Sequence, residues 1–347
     1  SIDSNHRNLP AGHIYLVMWL FLISFHTRFD KPQSFGLYMA WGIPDDLSFT
    51  PKQILRFDGG YIVVGVDGHL QKIDTDGKLL GNPVRPFPTP IRDAVVIDNT
   101  LVATWLDQEL LLARMAAINL ENDFSEGVNR GDLRVRRTID KSLHPVGTEW
   151  SHVLDAEPLS LSANNNSFSF VLWRRGVYNL SVKATENWRS PEPEWPSLAK
   201  IPRAMDTVAT TCDDDHFEIW SKGGGMIRYD VSTGTIIEQS TLPLDGYLNQ
   251  VYKHENKYLF LYNNSNIALY EEGKIVLNAK LSGPISYAEW SETEEAWHIA
   301  GWRELLFISP TAHNRIALPE IAVFIDAQNG LYLCNDGKWD IIDSSNE

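Results

Sequence analysis

Acids with an arginine or tyrosine close by recur along the chain: Arg92 and Asp93, Asp155 and Glu157, Arg203 and Asp206, Asp245 and Tyr247, Tyr287 and Glu289, then Glu320. Gathered in one concavity, such groups would hold a small polar ligand or a peptide by convergent hydrogen bonds and charge. Carboxylates pushed to different pKa values by burial could instead share the acid and base roles of a hydrolase or lyase, on a carbohydrate-like substrate. In that second reading Asp93, Asp206 and Glu289 are the acids, and Arg92 or Arg203 orients an anionic group. No H-E-x-x-H, G-x-S-x-G, Walker loop or C-x-x-C is present, so the sequence gives no support to metalloprotease, α/β-hydrolase, P-loop or thioredoxin chemistry. Binding without catalysis is the expectation, with no cofactor and no metal.

What would bring these groups together is a repeat. Each lies near a proline that precedes a strand-like stretch, at Pro51, Pro90, Pro158, Pro202, Pro243, Pro284 and Pro319. Five of the six intervals fall between 35 and 44 residues. The long interval carries an insertion at about 119–150. Within a repeat, short runs rich in Val, Ile, Leu, Tyr and Trp alternate with Gly, Asp and Asn turns and show no helical period. The fourth repeat reads DTVATTCD, DHFEIWSK, GMIRYDV, GTIIEQSTL, which is four strands joined by tight turns. A proline suits the position before the first strand because it has no N–H to give to a ladder.

An all-β unit of four strands, repeated seven times, resembles the seven-bladed β-propellers of the WD40-like and quinoprotein-like group. The resemblance covers 51–347. It also rests on turns such as KIDTDGKLLG (72–81) and RYDVSTGTIIE (228–238), which resemble the outer hairpins of quinoprotein-like repeats. The Gly-His and Trp-Asp signatures of WD40 repeats are missing, with Trp339-Asp340 the lone Trp-Asp pair. The resemblance implies a fold and assigns no particular activity. If each proline marks the start of an inner strand, the acids, arginines and tyrosines named above ring one mouth of the central channel, where propellers commonly bind ligands or peptides.

A propeller must close, since open blades would expose sheet edges. After Pro319 only 28 residues remain, enough for three strands, so the fourth is expected from the N-terminal 1–50 segment, with FGLYMAWGI (35–43) nearest in register. The apolar run from Ile14 to Phe25 is shorter than the roughly 20 residues that span a bilayer. It is read as part of the closure, with a signal or membrane anchor as the alternative. A cytoplasmic monomer is expected, or a secreted or anchored protein if 14–25 serves as signal or anchor.

Smaller features receive plain readings. With 45 acids against 30 bases the formal charge is −15, which disfavours a general nucleic-acid binder. Cys212 and Cys334 are distant and are expected as buried free thiols. Asp213 to His216 (DDDH) is read as a charged loop, Asp74 to Gly77 as a hairpin turn, and 223–225 (GGG) as a turn between strands. Arg130 to Arg137 (RGDLRVRR) is read as a basic outer-edge strand, or a dock for an acidic partner. Asn165, Asn179 and Asn263 begin N-x-S triplets, which matter only in a secreted protein.

Overall fold

The structure, a computed structural model, describes residues 42–136 and 143–342. Its strands form seven antiparallel sheets in chain order. Blade 1 holds β1 (Pro51–Phe57), β2 (Gly60–Gly65), β3 (Leu70–Ile73) and β4 (Leu79–Val84). Blade 2 holds β5 (Ile91–Ile97), β6 (Thr100–Asp107), β7 (Leu112–Asn119) and β8 (Trp150–Leu154). Blade 3 holds β9 (Pro158–Ala163), β10 (Ser167–Leu172), β11 (Gly176–Ser181) and β12 (Glu186–Ser190). Blade 4 holds β13 (Thr207–Cys212), β14 (His216–Ser221), β15 (Gly225–Asp230) and β16 (Ile236–Thr241). Blade 5 holds β17 (Leu248–His254), β18 (Lys257–Tyr262), β19 (Asn266–Glu271) and β20 (Lys274–Lys280). Blade 6 holds β21 (Ile285–Ser291), β22 (Ala296–Gly301), β23 (Glu304–Ile308) and β24 (His313–Ala317). Blade 7 holds β25 (Ala322–Asp326), β26 (Leu331–Cys334) and β27 (Trp339–Ile341).

The first strands neighbour one another in a closed circuit, β1 to β5, β9, β13, β17, β21, β25 and back to β1. This is a seven-bladed propeller, and the prolines do sit at the start of the inner strands. All seven inner strands also carry a register shift at one equivalent place, skipping Lys52, Arg92, Leu159, Val208, Asn249, Ser286 and Val323 in their ladders. A bulge there bends the strand and leaves the extra residue outside the pairing.

The sequence writes this architecture through its middle strands. β2, β10 and β22 are buried at every position, because each blade is covered on both faces by its neighbours. Outer strands such as β16 are exposed almost throughout. Each apolar core lies between two blades. Trp105 and Leu101 pack with Ile62 and Val64 between blades 2 and 1, while Trp220 and Phe260 meet edge-on between blades 4 and 5. Burying one such side chain is worth about 1.5 to 3 kcal/mol.

Blades 7 and 1 close the ring. Tyr61 and Val63 of blade 1 pack with Phe324, Leu333 and Trp339 of blade 7. The segment before β1 crosses this seam: the Asp45 N–H donates to Gly77 O in blade 1, the Leu47 N–H to Gly337 O in blade 7, and the Leu47 side chain is buried between them. A polar clasp joins three blades. Arg56 of β1 reaches Glu289 of β21 at 2.7 Å and Asp326 of β25 at 3.0 Å, and the Tyr61 hydroxyl donates to Asp326. Blade 7 shows three strands; the expected closing strand at 35–43 and the run at 14–25 lie outside the described residues, apart from Gly42 and Ile43.

One local reading is corrected. RGDLRVRR is not an edge strand: Arg130–Arg136 is a helix, α1, inside the segment between β7 and β8. Local geometry decides it. The Asn129 carboxamide accepts the Asp132 N–H, and Leu133 is fully buried against the core of blades 1 and 2, which strand alternation would not single out. Asn179 is completely buried and donates to Ser167 and Ser169, so its triplet is no accessible glycosylation site.

Replacing Arg56 with alanine leaves the fully buried Asp326 without its cation. Stability should fall by about 2 to 3 kcal/mol. The midpoint of urea unfolding measures this, and an unchanged midpoint would remove the clasp from the closure.

Candidate functional site

At the proline end of the ring, the links into each inner strand meet the turns that follow each second strand. The same backbone hydrogen bond recurs there: Trp173 N–H to Glu157 O, Lys222 N–H to Asp206 O, Asn263 N–H to Tyr247 O. It sets residues distant in sequence side by side. Over blades 2 to 4 the first two of these pairs line a cavity of about 920 Å³ that includes Arg92, Glu157, Trp173, Arg203, Met205 and Asp206. Four of the expected mouth residues, Arg92, Glu157, Arg203 and Asp206, therefore share one concavity.

The others are placed elsewhere. Asp155 is exposed and pairs with Arg175 at 2.9 Å, beside a second cavity of about 560 Å³ that also touches Glu157 and Trp173. Asp245 lines a separate small pocket of blade 5 with Asn264 and Asn278. Tyr247 is exposed, its hydroxyl donating to Pro202 O at 2.9 Å. Glu320 is exposed ahead of β25.

Tyr287 and Glu289 lie farther along β21, whose ladder runs from Ile285 at the proline end to Ser291 at the opposite end. Glu289 there belongs to the clasp: it accepts both Arg56 nitrogens, the Tyr287 hydroxyl at 3.0 Å and the Ala327 N–H. The expectation that Asp93, Asp206 and Glu289 gather as one acidic set is corrected by this register. Asp206 precedes β13 at one end of the channel and Glu289 is near the other, each already neutralised by cations. Inner strands run the length of the channel, so neighbouring positions in the sequence repeat do not become one rim.

Electrostatics separates the acids further. Burial would raise Asp206, but Lys222 and Arg203, each at 2.9 Å, hold it below its ordinary value. Asp93 is different. It is half-buried in the channel wall and no described side chain hydrogen-bonds its carboxyl, so burial pushes its pKa up against the opposing pull of Arg92 and Lys52. Burial also raises Tyr287 strongly, with the Glu289 charge adding to it, so this phenol stays protonated and serves as a donor. Both thiols are raised by burial to about 12, Cys334 buried and Cys212 partly so.

The loops read as turns behave so. Asp74 accepts the N–H of Asp76 and Lys78, and Asp230 accepts those of Ser232 and Thr233 along with both hydroxyls, which hold its carboxyl near about 2. In DDDH, Asp213 accepts the N–H of Asp215 and His216 and pairs with Lys253 at 2.7 Å.

Sequence reasoning missed several side chains at the proline end. Trp173 and Trp302 occupy the turns after β10 and β22, and Lys52 occupies the bulge position of β1 equivalent to that of the expected Arg92 in β5. The turns after second strands, such as LWRRG and AGWRE, could have been aligned in the same way as the prolines.

No protein-family model matches the sequence, and no curated protein resembles it closely enough to count as a relative. Solved structures do match. The β-propeller domain of Cps50 (Swd1) from Myceliophteria thermophila is 13% identical at a TM-score of 0.61, covering 84% of this chain and 96% of that one. The fold is a seven-bladed β-propeller, similar to those of WD40 proteins. The WD40 β-propeller domain of Doa1 is 11% identical at a TM-score of 0.59, covering 88% of this chain and 97% of that one. At such identities the likeness concerns the fold alone.

Because the folded pKa of Asp93 is raised, its ionisation opposes folding. The loss of stability begins as pH rises through the unfolded value near 3.8 and is complete above the folded one. Asp93→Asn should therefore stabilise the protein at neutral pH and leave stability unchanged below about pH 3. Thermal melts across this pH range provide the check.

Proposed function

We propose that this protein is an interaction scaffold that holds a protein partner at its proline end. One observation carries the reading: among the described residues, the exposed tryptophans and tyrosine sort to that end. Trp173 is 51% exposed, Trp302 46% and Tyr247 39%, and all three lie in turns or links beside the inner-strand starts. Leu111, Ile201 and Met205 are exposed in neighbouring turns and links of the same end. A folded chain gains nothing by leaving such groups in water, whereas aromatic side chains at the centre of an interface supply most of its energy. The cavity lined by Trp173 and Met205 gives an anchor a place to enter.

Rigidity supports the role. Each turn stands on a four-stranded sheet clamped by its neighbours, so a partner meets a surface ordered in advance and less freedom is lost on binding. The WD40-like fold agrees with a scaffold, as an analogy of architecture. The hydrolase or lyase reading draws no support from the acids: Asp206 and Glu289 stand toward opposite ends of the channel and are each paired with cations, which leaves Asp93 without a partner acid.

The experiment is a quantitative pull-down with the full chain and three variants. Trp173→Ala and Trp302→Ala should each weaken capture of a partner by about 2 kcal/mol, or roughly thirtyfold. Ile237→Ala, on the exposed outer strand β16, should leave it unchanged. Melting temperatures should match in all four proteins. Equal capture by the tryptophan variants would refute the reading.

A further inference from the structure

Among the described residues, two arginines at the proline end have side chains that contact no carboxylate, on a chain where acids outnumber bases by 15. Eight described arginines contact a carboxylate. Arg114 and Arg303 donate to backbone carbonyls and Arg174 covers the Trp173 ring. The side chains of Arg85 and Arg92 do none of these. Both line a cavity of about 630 Å³ over blades 1 and 2, together with Lys52, Asp67, Asp107 and Arg130.

Inside that cavity the acids are mostly spent. Asp107 accepts Arg130, and Glu109 accepts Arg130 at 2.9 Å and Arg134 at 2.7 Å, so α1 neutralises that wall. Among the described lining residues, Lys52, Arg85 and Arg92 are then left facing Asp67, with Asp93 behind Lys52 and Arg92 and Glu126 on the Arg85 N–H. Lys52 is held in place, its ammonium donating to Ile91 O at 2.6 Å and Arg92 O at 2.8 Å, which leaves one N–H for a ligand. Arg92 belongs to this cavity and to the 920 Å³ cavity, and Leu106, Asp107 and Gln108 connect it with the 560 Å³ one. The three adjoin along this end in one depression, cationic over blades 1 and 2 and aromatic at Trp173, with the acids of the larger cavity, Glu157, Glu192, Glu194 and Asp206, beyond Arg92.

We propose that this depression reads an acidic peptide segment, with its carboxylates on Arg85, Arg92 and Lys52 and an adjoining apolar residue against Trp173 and Met205. The inference rests on the scaffold reading and names the partner chemistry for it. Arginine suits the task because its planar fork binds a carboxylate through two hydrogen bonds. The overall negative charge does not forbid an acidic ligand, since charges farther away than about 10 Å are screened at ordinary salt. It does disfavour a nucleic acid, whose repeating phosphates would extend past three cations onto an acidic surface.

The test is an array of short peptides built on one apolar core, with acidic, neutral or basic residues on either side, probed with the full chain at low and moderate salt. Acidic peptides should be retained at least tenfold better than neutral ones, and added salt should narrow the gap. Arg92→Glu and Arg85→Glu, both lacking side-chain partners and so safe for folding, should abolish the preference for acid. Trp173→Ala should weaken acidic and neutral peptides alike. If peptides are held and Trp173→Ala releases them without regard to charge, acid reading is wrong and the scaffold stands. If a phosphoserine peptide alone is held, the carboxylate assignment is wrong. If no peptide of any charge is retained, both readings fall.

Discussion

Every blade depends on being covered from both sides. Its middle strand is apolar on both faces, so a blade alone would expose one or two faces that only a neighbouring blade can bury. Seven such contacts arranged in a ring leave no face over, and the cores between blades, not within them, hold the molecule together. Closure is then a condition of stability as well as of shape. Among the described strands, the 7–1 seam is the one place where neighbouring blades are not consecutive in sequence. Compensation is visible there: an aromatic cluster around Tyr61, Phe324 and Trp339, a fully buried Asp326 fixed by Arg56 and Tyr61, and the 44–50 segment laid across both blades.

Polar groups inside the ring follow the same logic. Glu218, fully buried on a middle strand, is met by Thr211, Arg228, Lys253 and Tyr258, and Lys253 and Tyr258 come from the next blade. A carboxylate so thoroughly satisfied ties blade 4 to blade 5 and prescribes their register. The clasp at Glu289 and Asp326 does likewise for blades 6, 7 and 1. Acids that looked available for chemistry along the sequence thus divide into those that join blades and those that face solvent at the proline end.

The fold was largely legible because propeller physics is periodic: one proline per repeat, one apolar middle strand, one Asx turn such as that at Asp74 or Asp230. The site was legible only in part. Arg92, Glu157, Arg203 and Asp206 share a cavity because they sit next to inner-strand starts, and those starts were marked by prolines. Glu289 was misplaced because a strand of seven residues carries its two ends to opposite mouths of the channel, and counting from a proline does not report depth. Trp173 and Trp302 escaped notice because their turns carry no residue as diagnostic as proline. α1 escaped notice because a seven-residue helix is decided by the Asn129 cap and one buried Leu133, with too few residues for a period to show.

The bulge repeated in all seven inner strands has a consequence for how anything can be gripped at the centre. A regular inner edge would offer a free row of N–H and C=O groups on which an extended peptide could be templated. Each blade instead kinks that edge near the mouth, and Lys52 caps the Ile91 and Arg92 carbonyls of one of them. Recognition by adding a strand is therefore disfavoured at this mouth of the pore. A guest must be held by side chains and turns, whose identities can change from blade to blade while the ladder beneath them stays the same.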